Sequence, residues 1–130
     1  MERQKEAILN SETHVIKCVF PNTTNHYDTL FGRTAMQWMD EIAFITATRF
    51  SQQRMVTVSP DKVDFKKPIL SETFAELIGE VAMVGFSNLK VRLDIFTEQM
   101  NEVHRELAVT AEFILVCNDE NKKRIPIQLA

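Results

Sequence analysis

The chain has 130 residues, 45% hydrophobic and 25% charged, the make-up of an ordinary globular protein, and its length fits one domain over residues 1–130. A net charge of −3 and a pI near 5.6 exclude a general nucleic-acid binder, because proteins that track phosphates carry a basic excess. No stretch approaches the ~20 apolar residues of a membrane span, no signal peptide opens the chain, and the two cysteines, Cys18 and Cys117, lie in apolar stretches and read as reduced core residues, so a cytoplasmic protein is expected.

Residues 1–12 are polar and read as a loosely held N-terminus. Thr13 to Phe20 is rich in β-branched residues and roughly alternates, which predicts a strand. The run from Pro21 to Asn25 (PNTTN) breaks that pattern with turn formers. Gly32 to Phe50 is the one long helical pattern, with Ala35, Met36, Met39, Ile42, Ala43 and Ala47 at helical spacing; Trp38, Phe44 and Ile45 add apolar bulk elsewhere, which predicts an enclosed helix. Strand patterns follow at Met55 to Phe65, Phe74 to Val84, Leu89 to Thr97 and Leu107 to Cys117, with turn residues at 71–72, 85–88 and 118–121. One long helix and a run of strands predict an α+β protein whose antiparallel sheet wraps the helix. A single curved sheet leaves an edge and a face to cover, and pairing with a second copy is the natural remedy.

The segment Asn25 to Glu41, NHYDTLFGRTAMQWMDE, resembles the acyl-CoA thioesterase branch of the hotdog superfamily, with its Asn, its Phe-Gly turn and its Trp-Met-Asp-Glu helix. Arg49, Val56-Thr57, Val63-Asp64-Phe65, Pro68-Ile69 and Gly85-Phe86-Ser87-Asn88 continue the likeness in order, over roughly residues 13–127. The resemblance implies a single hotdog domain, a homodimer that extends to a tetramer or hexamer in many relatives, and active sites at the subunit interface. It implies hydrolysis of acyl-coenzyme A, with coenzyme A bound as part of the substrate and no separate cofactor.

Asp40 is the leading catalytic candidate, as general base or as nucleophile, since a carboxylate on an apolar helix needs a partner or a task. Gly32 opens the helix, where free N–H groups and the helix dipole can stabilise a thioester oxyanion. The resemblance makes Asn25 the residue that orients water or the thioester near the partner's aspartate. Thr57 lines the pocket on the same grounds. Arg49, Lys66 and Lys67 are candidate phosphate contacts for coenzyme A, and Ser87 and Asn88 candidate contacts to its pantetheine or nucleotide. Each of these also has an ordinary solvated or turn-forming role. Glu41 reads as an interface charge, His26 as a loop residue, the basic run from Lys122 to Arg124 as a solvated turn, and Met36, Trp38 and Met39 as core or interface. His14 and His104 lack metal-ligand spacing, so no metal is expected.

Asp28 and Arg33 stand where the family commonly has glycine. Arg33 has three readings: a pair with Asp28, a contact to a substrate phosphate, or a block in the pocket. The alternative to hydrolysis is a non-catalytic hotdog protein that binds acyl-CoA or a related thioester; a dehydratase ranks last, because no helical His accompanies Asp40.

Overall fold

Alternation along each strand decides which face of the sheet is buried. In Asn88–Gln99, Leu89, Val91, Leu93 and Ile95 are buried while Lys90, Arg92, Asp94 and Phe96 point outward. The computed structural model describes residues 2–129, and its elements in order are α1 (Glu2–Ser11), β1 (Thr13–Cys18), a one-turn 3₁₀ helix (Pro21–Thr23), α2 (Gly32–Ser51), β2 (Met55–Phe65), β3 (Thr73–Val84), β4 (Asn88–Gln99) and β5 (Arg105–Cys117). The five strands form one antiparallel sheet in the order β1-β3-β4-β5-β2, so β1 and β2 are its edges. This is the α+β arrangement expected, and every strand predicted from the alternation is present, with ends shifted by at most two residues.

The helix α2 lies on the sheet with Ala35, Met39, Ile42, Ala43, Thr46, Ala47 and Phe50 buried, the i, i+4, i+7 stripe of a one-sided helix. It packs directly on β3 at Gly79, where an added Cβ would sit 2.6 Å from Thr46 Oγ1 and 2.9 Å from the Ile42 side chain. Both obstacles belong to the packed helix, so Gly79→Ala must push α2 off the sheet. Its expected cost is about 1–3 kcal/mol, the usual range for overpacking, read as a lower urea midpoint at unchanged slope.

Three expectations need correction. The helix is not enclosed: Arg33, Gln37, Asp40, Glu41 and Phe44 form an exposed stripe opposite the sheet, and Phe44 is 48% exposed. Residues 2–11 are the helix α1 rather than a loose terminus; Met1 lies outside the described residues. A ten-residue helix is marginal alone, and packing holds this one: Ala7 and Ile8 rest on the core, and the Arg49 guanidinium donates to Asn10 O (2.7 Å), Glu12 O (2.9 Å) and Thr13 Oγ1 (3.1 Å) where α1 ends. Cys18 is exposed rather than in the core. Cys117 is buried, and burial pushes its thiol pKa up.

Candidate active site

Two clefts carry most of the residues that the sequence singles out. The first, about 420 Å³, lies between the exposed stripe of α2 and the first half of β2, and Arg33, Met36, Asp40, Thr57, Pro60 and Phe113 are among its walls. Asp40 sits two turns into α2 on the solvent side. The Thr57 hydroxyl donates to Asp40 Oδ1 at 2.7 Å. A bulge in β2 between Thr57 and Ser59, opposite Leu115 and Ile114, bends the edge strand beside this bond. With Oδ1 held from the strand, the carboxylate plane is fixed and Oδ2 is free to take a proton.

The second cleft, about 400 Å³, is lined by Asn25, Gly32, Phe65, Lys66, Lys67 and Pro68, among others. The Asn25 loop is built from its own bonds. Asn25 Oδ1 accepts the N–H groups of Tyr27 (2.9 Å) and Thr29 (3.2 Å), while Asn25 N–H donates to Thr29 O (2.8 Å). Because two N–H donors fix which end is the oxygen, the side-chain NH₂ is turned away from the loop, with no partner among the described residues. Asp28 takes a left-handed φ of 59° in this loop, a conformation that glycine adopts freely and aspartate tolerates.

Gly32 begins α2. The preceding Phe31 caps it with no side-chain bond and the first turn holds no acidic residue; the N–H groups of Phe31 and Thr34 bond to Thr23 O and Phe31 O, which leaves those of Gly32 and Arg33 open to a ligand. Nothing lies within 4 Å of a Cβ added at Gly32, and its φ is not positive. The fold therefore does not require glycine here, and the reading of a tight turn that demands a small residue falls away. Lys66 and Lys67 are set at the lip by backbone bonds from both to Ala108 O (2.8 and 3.1 Å). Their ammonium groups pair with Asp64 (2.9 Å) and Glu106 (3.2 Å). His104 also bonds to Glu106 at 3.1 Å, and His104 and Lys67 together hold that carboxyl below its usual pKa. The sequence reading singled out neither Asp64 nor Glu106 for this purpose. Asp64, two residues before Lys66 in the chain, was legible in principle; Glu106 meets Lys67 through the fold.

Asp40, Thr57 and Arg33 thus share one cleft, and Asn25, Gly32, Lys66 and Lys67 the other; one chain does not bring Asn25 and Asp40 into the same cleft. The remaining candidates lie elsewhere. Arg49 is committed to the end of α1 and lines a separate groove against that helix. The 85–88 turn is tied to β5 and the C-terminal segment, with Cys117 N–H on Ser87 O (2.9 Å) and Ile127 N–H on Phe86 O (2.8 Å), and neither Ser87 nor Asn88 lines either cleft. His26 packs on Tyr27 with ring centroids 4.0 Å apart, and not beside Asp40. Arg33 makes no ion pair with Asp28; its guanidinium lies 5.8 Å from the Phe31 ring centre. Among the described residues no group of three or more His, Cys, Asp or Glu could hold a metal ion.

The Thr57 bond has a measurable consequence. Thr57→Val keeps the shape and removes the donor, and is expected to lower the rate of the chemical step about tenfold with little change in KM. Steady-state kinetics of the folded variant check this.

Comparison with known proteins adds a consistent picture. Residues 27–104 match the thioesterase superfamily. The chain is 39% identical over 118 residues to the uncharacterized acyl-CoA thioester hydrolase YkhA of Bacillus subtilis, covering 89% of this chain and 69% of that protein. An acyl-CoA hydrolase of Staphylococcus aureus, solved with butyryl coenzyme A, coenzyme A and coenzyme A disulfide, superposes with a TM-score of 0.88 at 32% identity, over 94% of this chain and 74% of that one. A hexameric apo acyl-CoA thioesterase superposes with a TM-score of 0.89 at 30% identity, over 94% of this chain and 78% of that one. Alanine variants of the Staphylococcus aureus enzyme at an Asn, an Asp and a Thr have also been solved, and the intervals between those three residues are the intervals between Asn25, Asp40 and Thr57.

Proposed function

Because the chain belongs to the thioesterase superfamily, we propose that it is an acyl-CoA thioester hydrolase in which Asp40 is the general base and two copies of the chain complete each site. The observation that carries this is the carboxylate of Asp40, held by Thr57 in an open cleft on the outward stripe of α2. Its counterpart is the division of the polar residues between two clefts, which a second copy can unite by setting the Asn25–Gly32 cleft of one protomer against the Asp40 cleft of the other. The exposed Phe44, Val56, Val58 and Phe65 beside these clefts give such a contact its apolar area.

The reaction follows from the parts. Asp40 Oδ2 takes a proton from a water molecule as its oxygen attacks the thioester carbonyl carbon. Negative charge gathers on the carbonyl oxygen, where the open N–H groups and positive dipole end of the partner's α2 receive it. The Asn25 NH₂ orients the water or the thioester. As the C–S bond breaks, protonated Asp40 returns its proton to the sulfur, and free acid and coenzyme A leave. No metal or redox cofactor enters this scheme. Lys66 and Lys67 at the lip suit the phosphates of coenzyme A.

An oligomer is required by this reading, the dimer being its smallest unit and a tetramer or hexamer an extension of it. No helix among the described residues is long and apolar enough to cross a membrane, and the two free thiols suit a reducing cytoplasm. The test is release of free thiol from a panel of short- to long-chain acyl-CoAs. Turnover supports the reading, whereas binding of coenzyme A without thiol release from any member makes the protein a non-catalytic binder.

A further inference from the structure

We propose that the cleft holding Asp40 selects acyl groups that carry a carboxylate of their own, with Arg33 as the residue that reads it; this rests on the hydrolase reading above. Arg33, Gln37 and Asp40 follow one another at i, i+4 and i+7, so all three lie along one face of α2 and border the same cleft. The rest of the lining is apolar at Met36 beside them on α2 and at Val58, Pro60 and Phe113 across the cleft, which suits a carbon chain. A cation bordering such a cleft is costly to cover unless an anion meets it.

The charge of Arg33 is also uncommitted within the chain. Arg49 is taken up by the carbonyls at the end of α1, Lys66 by Asp64 and Lys67 by Glu106. Arg33 has no carboxylate within ion-pair distance among the described residues, and its guanidinium lies 5.8 Å from the Phe31 ring centre. Seven residues of helix separate Arg33 from Asp40, roughly 10 Å along the axis. That spacing suits a short dicarboxylic acyl group, with its thioester at Asp40 and its far carboxylate in the two-pronged grip of an arginine. A long plain acyl chain would instead bring methylenes against the guanidinium and strip its water without replacing it.

The test compares glutaryl-CoA with valeryl-CoA, which have equal carbon number and differ in the terminal carboxylate. The native protein is expected to favour glutaryl-CoA in kcat/KM by about tenfold, the discrimination that one charge-assisted pair gives when its partner is missing. Arg33→Gln is expected to lower the glutaryl-to-valeryl ratio by about tenfold or more, and Arg33→Lys to keep part of the preference. A native preference for valeryl-CoA, or a ratio that Arg33→Gln leaves unmoved, overturns the proposal. So does a rise in KM for both CoA thioesters that is absent with the matching pantetheine thioesters, since that would assign Arg33 to the phosphates. If no thioester of any kind releases thiol, the hydrolase reading itself fails and takes this proposal with it. Turnover of valeryl-CoA without discrimination leaves the hydrolase reading standing.

Discussion

Asp40→Asn is expected to slow thiol release by roughly a thousandfold, within the range that a positioned general base contributes. The amide keeps the size of the carboxylate and can still accept the Thr57 hydroxyl bond, so the loss reports the missing basicity and not a collapsed cleft. Asp40 is exposed in the single chain and has no cation within ion-pair distance among the described residues, so no buried charge is orphaned by the change. Thermal stability should therefore stay near that of the native protein, and binding of free coenzyme A should survive. A variant that folds, binds coenzyme A and still hydrolyses acyl-CoA at the native rate would remove Asp40 from the chemistry.

The second large effect is expected at Gly32, and its interest lies in the separation of activity from stability. An added methyl meets nothing within 4 Å and replaces glycine in the first turn of a helix, so Gly32→Ala should fold at least as well as the native chain. The same methyl stands where a thioester oxygen must approach the open N–H groups. A displacement of about 1 Å there costs on the order of a hundredfold in rate. Native melting temperature with a large fall in kcat/KM is the expected pair of results; a large fall in both would make Gly32 a folding residue.

These two variants also test the shared site together. Each homodimer lacks one half of both of its sites. In a mixed dimer one site carries both substitutions and the other carries neither. Unfolding the two inactive proteins together and refolding them should recover about a quarter of native activity, since half the dimers are mixed and each has one intact site of two. No recovery, with mixed dimers demonstrated, would place Gly32 and Asp40 of one chain in a single site.

The strands and α2 were legible because apolar alternation and helical spacing are local facts of the chain, and because burial of one face rewards them wherever they occur. The likeness of the Trp38-to-Glu41 block to the family singled out Asp40, whereas the enclosure expected of its carboxylate did not hold, because Asp40 lies on the exposed stripe of α2. The misses have a common source. α1 has too few apolar residues to predict itself and exists because Arg49 and the core hold it, which also removed Arg49 from the phosphate candidates. Cys18 sits in an apolar-looking strand, yet its outward turn on an edge strand leaves it in solvent.

By itself, then, the sequence determined the α+β architecture and the order of α2 and the five strands, since each depends on the period of residues close in the chain, and its likeness to the family singled out Asp40 as the catalytic candidate. Only the tertiary structure decided that Thr57 grips Asp40 from across a bulged edge strand, that Glu106 steadies Lys67, and that Asn25 and Asp40 open into different clefts. Those are contacts between residues far apart in the chain, set by strand register and by which side of a helix meets the sheet, and no local pattern encodes them.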